Sequence, residues 1–126
     1  MTWINAATAR RARVLHRREV MALFEDREKA AERQFVREQE LAFRIMARRN
    51  RLLGLWAAQC LGLTGDEAQN YARLVLQSDL EKPGVEDIVA KICDDFKKRG
   101  VAHDETRVRV ELERCAAEAK KQLGPQ

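Results

Sequence analysis

Helix breakers partition this chain more sharply than any motif in it. Its 126 residues include only six Gly and two Pro. All but Gly54 fall at four places: Gly62 and Gly65, Pro83-Gly84, Gly100, and Gly124-Pro125. Pro lacks the amide donor and crowds the preceding turn, and Gly loses the most backbone freedom on entering a helix. A chain interrupted only there reads as four helical segments joined by short turns. No β-rich runs spaced by Gly/Pro turns compete with that reading. Ala, Leu, Glu, Lys and Arg supply 68 residues, a composition that excludes a sandwich or barrel. The length suits one domain with a modest core. The expected fold class is all-α, a small four-helix bundle with a long first helix.

Apolar spacing assigns each segment a buried face. In the first, Leu41, Ile45, Leu52, Leu55 and Trp56 fall in one arc about 100° wide, with Arg44, Arg48, Arg49 and Arg51 mainly outside it. Gly62-Leu-Thr-Gly breaks the segment. Thr64 followed by Glu67 reads as a capping box, opening a second helix near Gly65. Its face is Ala68, Ala72, Val75 and Leu76, with Tyr71 beside them, and Lys82-Pro83-Gly84 ends it. The third has the cleanest pattern: Val85, Ile88, Val89, Ile92, Cys93 and Phe96. Lys97, Lys98 and Arg99 suit the negative end of its dipole, and Gly100 supplies the stop. Asp104 is expected to cap the fourth helix, with Glu105 in its first turn. That helix buries Val108, Leu112, Cys115, Ala116, Ala119 and Leu123 before Gly124-Pro125 closes it.

Chemistry is sparse. No P-loop, G-x-G-x-x-G, G-x-S-x-G or H-E-x-x-H motif is present. His16 lies among arginines, and His103, just before the cap, reads as a solvated or capping-region residue. Cys60, Cys93 and Cys115 are distant and odd in number, which disfavours a disulfide framework and suits a reducing compartment. On apolar faces, Cys93 and Cys115 read as buried thiols rather than metal ligands. The neighbouring acids Glu86-Asp87 and Asp94-Asp95 read as solvated charges rather than a catalytic pair. The Gly62–Gly65 turn could hold an anion, but any capped helix offers the same groups. A nucleotide-sized site between helices is conceivable, yet no spacing demands one. The reading is therefore a non-enzyme with no catalytic residue, no metal and no cofactor. The longest apolar run, Leu52 to Ala58, falls far short of the roughly 20 residues a membrane span needs, so no direct membrane insertion is expected.

Charge is confined to one end. Residues 1–20 hold Arg10, Arg11, Arg13, Arg17 and Arg18 against Glu19 alone, whereas the other 106 residues hold 19 basic and 19 acidic side chains. The body thus lacks a footprint for nucleic acid. Three readings fit the extension: a presequence-like segment, residues upstream of a true start at Met21, or a basic arm for nucleic acid or an anionic surface. The working division is residues 1–20 as a disordered or dispensable basic extension, 21–40 as an arm, and 41–126 as the bundle.

Residues 25–40 are a puzzle, since ten of the sixteen are charged. Phe24, Ala31 and Phe35 form a stripe one residue wide. Glu25–Lys29 and Glu40–Arg44 support a helix while Lys29–Arg33, Arg33–Arg37 and Glu28–Glu32 oppose it, each by about 0.2–0.5 kcal/mol. A helix of this kind is marginal alone. Either it is a solvated extension, or it folds into a partner's groove on Phe24 and Phe35, about 16 Å apart along the axis.

The stretch from Ala47 to Ala58, ARRNRLLGLWAA, resembles the signature of the ζ subunit family of alphaproteobacterial F-type ATP synthases, small inhibitors of the soluble catalytic head. The run FEDREKA from Phe24 to Ala30 supports it, as do Gly62-Leu63, Glu67-Ala68, Tyr71-Ala72 and Pro83-Gly84 followed by Glu86-Asp87. The resemblance spans Met21 to about Leu123. It implies a bundle with a mobile N-terminal arm that becomes helical on inserting at a catalytic α/β interface beside the central stalk. Hydrolysis is blocked there, and synthesis is affected much less. Carried onto this chain, the arm runs from Met21 to about Gln39. Leu23, Phe24, Ala31 and Phe35 are its apolar contacts, and Asp26, Arg27, Glu28 and Lys29 its polar ones. The implied partners are the α, β and central stalk subunits. The implied setting is cytoplasmic, peripheral to the inner membrane through the synthase, with a monomer when free. Leu52, Leu55 and Trp56 of the signature are read as core, and Arg48, Arg49 and Arg51 as solvated. One departure stands out: members begin just ahead of the FEDREKA element, whereas twenty residues precede it here. The extension would have to thread past the interface, so inhibition is expected of a chain starting at Met21 or processed to it.

Overall fold

A computed structural model describes residues 6–81 and 84–124. Lys82, Pro83 and Pro125, which figure in the sequence reading, lie outside them. The described residues form four helices and no strand: α1 (Ala6–Cys60), α2 (Gly65–Glu81), α3 (Val85–Arg99) and α4 (Glu105–Leu123). The fold is the all-α bundle that the breakers dictate. The chain divides into two units, residues 1–39 and 40–126.

The first unit's described residues, 6–39, are helical throughout, and its side chains from Met21 onward are all exposed. Few side-chain bonds support the helix: Gln34 Nε2 donates to Glu38 Oε1 at 3.1 Å, and Arg13 Nε to the Ala9 carbonyl at 3.4 Å. The ion pairs of the described residues all lie in residues 86–114, so Glu25–Lys29 and Glu40–Arg44 do not close as the spacing suggested. Between exposed ends, such a pair gains little over the entropy of holding two long side chains.

In the second unit, Leu53, Val75, Ile88, Ile92, Phe96 and Val108 are fully buried. Trp56 packs edge-on to Phe96 with ring centroids 5.7 Å apart. The faces assigned to α2, α3 and α4 are the ones that turn inward. On α1 the assignment needs correction. Leu52, Leu55 and Trp56 are only half-buried, and the fully enclosed residues are Asn50, Leu53, Gly54, Ala57 and Ala58, on the opposite side of the helix. That side is inconspicuous because it is small. A Cβ built at Gly54 would lie 2.8 Å from the Cα of Ala72, so the two backbones approach as only glycine permits. The α1 segment is therefore embedded on two sides.

Both tight turns use left-handed glycine. Leu63 N donates to Ala58 O at 2.9 Å and Gly62 N to Gln59 O at 3.0 Å; Val101 N donates to Phe96 O at 2.9 Å and Gly100 N to Lys97 O at 3.3 Å. This is the Schellman pattern, and Leu63 and Val101 then pack on the core. The Asp104 cap forms as expected, its side chain accepting from Arg107 N at 2.9 Å. The Thr64 cap does not: among the described residues no backbone N–H donates to its hydroxyl. Gly65, the first residue of α2, has φ +57°, which turns the first amides away from the geometry a capping box needs.

Candidate functional site

The candidate arm occupies α1 within the first unit. Leu23, Phe24 and Phe35 are 63%, 57% and 61% exposed, and Asp26, Arg27, Glu28, Lys29 and Ala31 are exposed as well. At about 100° per residue the helix gathers Phe24, Glu28, Ala31 and Phe35 on one face, with Arg27 bordering it and Leu23 on the flank. Asp26 and Lys29 fall on the opposite face. The eight residues are thus one helical surface with two sides, suited to a crevice that grips from both rather than a flat groove. None of the four charged ones is ion-paired within the described residues, so their charges are free for a partner. The sequence reading missed two contributors. Val20, four residues before Phe24, extends the apolar face by a turn, and Val36, 51% exposed, adds a second patch. An i, i+4 search upstream of Phe24 would have found the first.

The signature stretch serves the second unit. Asn50, 0% exposed, donates from Nδ2 to Oδ2 of the buried Asp79 at 2.9 Å, linking α1 to α2. Arg49 Nε donates to Asn50 Oδ1 at 2.9 Å. Arg48 reaches Gln122 of α4 at 2.9 Å and Arg51 reaches Gln69 of α2 at 3.2 Å. Of the arginines read as merely solvated, Arg48 and Arg51 therefore fasten neighbouring helices, and Arg49 steadies Asn50. Glu111, 5% exposed, was also missed; Arg107 and Arg114 clamp its carboxylate at 3.1 and 2.7 Å.

Several of the titratable groups singled out in the sequence have structural partners among the described residues. His103 is not simply solvated: its ring lies against Trp56 and Phe96, centroids 5.6 and 5.9 Å away. Asp95 accepts from the Tyr71 hydroxyl at 2.8 Å and pairs with Lys91 at 3.3 Å, and Asp94 pairs with Lys98 at 3.0 Å. Burial pushes the Cys60, Cys93 and Cys115 thiols above their ordinary range, away from the thiolate a ligand or nucleophile needs. Among the described residues no group of three His, Cys, Asp or Glu could hold a metal ion. A cleft between α3 and α4 offers Glu86, Asp104 and Glu105 against Lys97, the wrong balance for a nucleotide's phosphates. No helix of the described residues is long and apolar enough to cross a membrane.

Comparison with known proteins bears on the whole matched body. A chain solved by solution NMR is 43% identical, covers 64% of this chain and 92% of its own length, and superposes with a TM-score of 0.57. No curated protein sequence matches. The family profile described as ATPase inhibitor subunit zeta matches residues 21–122, taking in both the arm and the bundle. By that match over most of its length, the chain belongs to the ATPase inhibitor subunit zeta family.

Proposed function

We propose that this protein inhibits ATP hydrolysis by an F-type ATP synthase by inserting residues 21–39 as a helix at a catalytic α/β interface, against the central stalk. Family membership carries the coarser part: a regulatory, non-catalytic protein whose partner is the ATP synthase. The finer part rests on one observation. Within the matched region, Leu23, Phe24 and Phe35 sit more than half exposed on a helix. Burying such side chains fully is worth about 1.5–3 kcal/mol each, so the exposed fractions together supply about 3–5 kcal/mol. Fixing a solvated, marginally stable helix in a bound pose costs at most the roughly 2–5 kcal/mol of a segment that folds on binding. The apolar anchors thus offset that cost, and contacts of Asp26, Arg27, Glu28 and Lys29 set what remains. On this reading the free protein is a monomer, cytoplasmic, and peripheral to the inner membrane through the synthase.

The test is ATP hydrolysis by the cognate synthase, titrated with protein starting at Met21 and with the full chain. Dose-dependent inhibition is expected of the chain starting at Met21, with weaker inhibition by the full chain; deleting residues 21–39 should abolish it and change the melting temperature little. Inhibition that survives the deletion would move the activity to the bundle. A large fall in melting temperature would make the arm part of the core.

A further inference from the structure

The basic helix ahead of the family-matched region is left unused by the inhibitory reading. Residues 6–20 lie before the match at 21–122 and inside α1. At about 100° per residue, Arg10, Arg11, Arg17 and Arg18 fall within about 60° of a line through Ala7, Val14 and Met21, while Glu19 falls on the far side. All four arginines are exposed, and the ion pairs of the described residues lie elsewhere, in residues 86–114. Ala7, Arg10, Arg11, Val14, Leu15 and Arg18 line one shallow surface, on which Val14 and Leu15 are 46% and 57% exposed.

Such a one-sided cationic strip calls for a polyanion, and the residues between the arginines decide which. Arginines on phosphates would suit a nucleic-acid backbone as well, so the apolar surface carried with them is what favours lipid. Between the arginines stand Ala7 and Val14, with Leu15 on the flank of the strip. They suit the boundary between lipid headgroups and acyl chains, where arginine stems lie along apolar surface with guanidiniums on phosphates. We propose that residues 6–20 form an anionic-lipid-binding helix, lying on the membrane surface with Arg10, Arg11, Arg17 and Arg18 on headgroup phosphates, Val14 beneath them and Leu15 at the edge of the buried strip. This is independent of the inhibitory role of residues 21–39.

The experiment is co-sedimentation of the full chain with vesicles of phosphatidylglycerol mixed with phosphatidylcholine, and with pure phosphatidylcholine vesicles. Binding to the anionic vesicles alone is expected, weakening as salt shortens the screening length. Each arginine removed should cost about fivefold, so R10Q/R11Q/R17Q/R18Q should bind on the order of several hundredfold more weakly. The charge-preserving R10K/R11K/R17K/R18K chain should stay within a fewfold of the original. Equal sedimentation with both vesicle types, an unchanged glutamine variant, or a lysine variant as weak as the glutamine one would overturn the proposal. So would tighter binding to a DNA duplex than to the anionic vesicles at the same salt.

Discussion

Asn50→Ala should be among the costliest single changes in the second unit, although Asn is an ordinary surface residue by composition. Its side chain is 0% exposed and its Nδ2 donates to Asp79 Oδ2 at 2.9 Å, where Asp79 is itself only 3% exposed. Arg49 Nε completes the chain by donating to Asn50 Oδ1, and among the described residues no buried side-chain polar atom lacks a partner. The substitution deletes both bonds and strands the Asp79 carboxylate against the α1–α2 contact. A hydrogen bond to a charged partner contributes about 1.5–3 kcal/mol net, and orphaning a buried charge costs up to about 3–5 kcal/mol. A loss of about 2–4 kcal/mol follows, a fall of roughly 10–25 °C in melting temperature for a unit of this size. Urea and thermal unfolding followed by circular dichroism would measure it, and N50A/D79A would isolate the pair. Because the double variant leaves no stranded carboxylate, it should be less destabilised than the two single changes summed, with a coupling of at least about 1 kcal/mol. A cost for Asn50→Ala below about 0.5 kcal/mol, or strict additivity, would refute the reasoning.

Other changes separate function from stability. Phe24→Ala and Phe35→Ala should each weaken inhibition of hydrolysis roughly four- to twentyfold, from about 0.9–1.8 kcal/mol of lost burial of their exposed fractions, while the melting temperature stays put. A shifted melt with unchanged inhibition would reverse the assignment. Gly54→Ala gains about 1 kcal/mol in helix propensity but loses about 1–3 kcal/mol to overpacking against Ala72, so net destabilisation of about 1 kcal/mol is expected in urea. A stabilised variant would show that the helices can part at no cost. Burial, and then the hydrogen bond to Asp95, raise the Tyr71 hydroxyl well above its ordinary pKa of 10.0. The unfolded chain therefore releases this proton first. The contribution is complete below pH 10 and is lost as pH climbs toward the folded value. Tyr71→Phe should flatten the alkaline limb of a stability profile above pH 10, and an unchanged limb would dismiss Tyr71 as its source.

Much of the fold was legible because the breakers and the large apolar residues speak for themselves. Gly62 and Gly100 take φ of +78° and +70° where the stops were read, and Ile88, Val89, Ile92 and Phe96 are the buried face of α3. What escaped has a common cause: periodicity weighs residues by size and polarity. It favoured Leu52, Leu55 and Trp56, and overlooked the Gly54, Ala57 and Ala58 side, whose value lies in close approach. It also has no means of singling out Asn50, Asp79 and Glu111, polar residues that are buried with their partners supplied by another helix or a neighbouring turn. The arm is a different matter. A charge-rich helix with two exposed phenylalanines fits a solvated extension as well as a binding segment, and periodicity does not choose between them.

A photo-crosslinking group in place of Phe24 or Phe35 would test arm insertion most directly, with a control at Val110 of α4, which is 52% exposed. In the inhibited complex, positions 24 and 35 should crosslink to α and β subunits at a catalytic interface, and crosslinking should fall when the arm's charged residues are neutralised. Crosslinks from position 110 alone, with positions 24 and 35 silent while hydrolysis is blocked, would contradict an inserted arm and leave the bundle as the inhibitor.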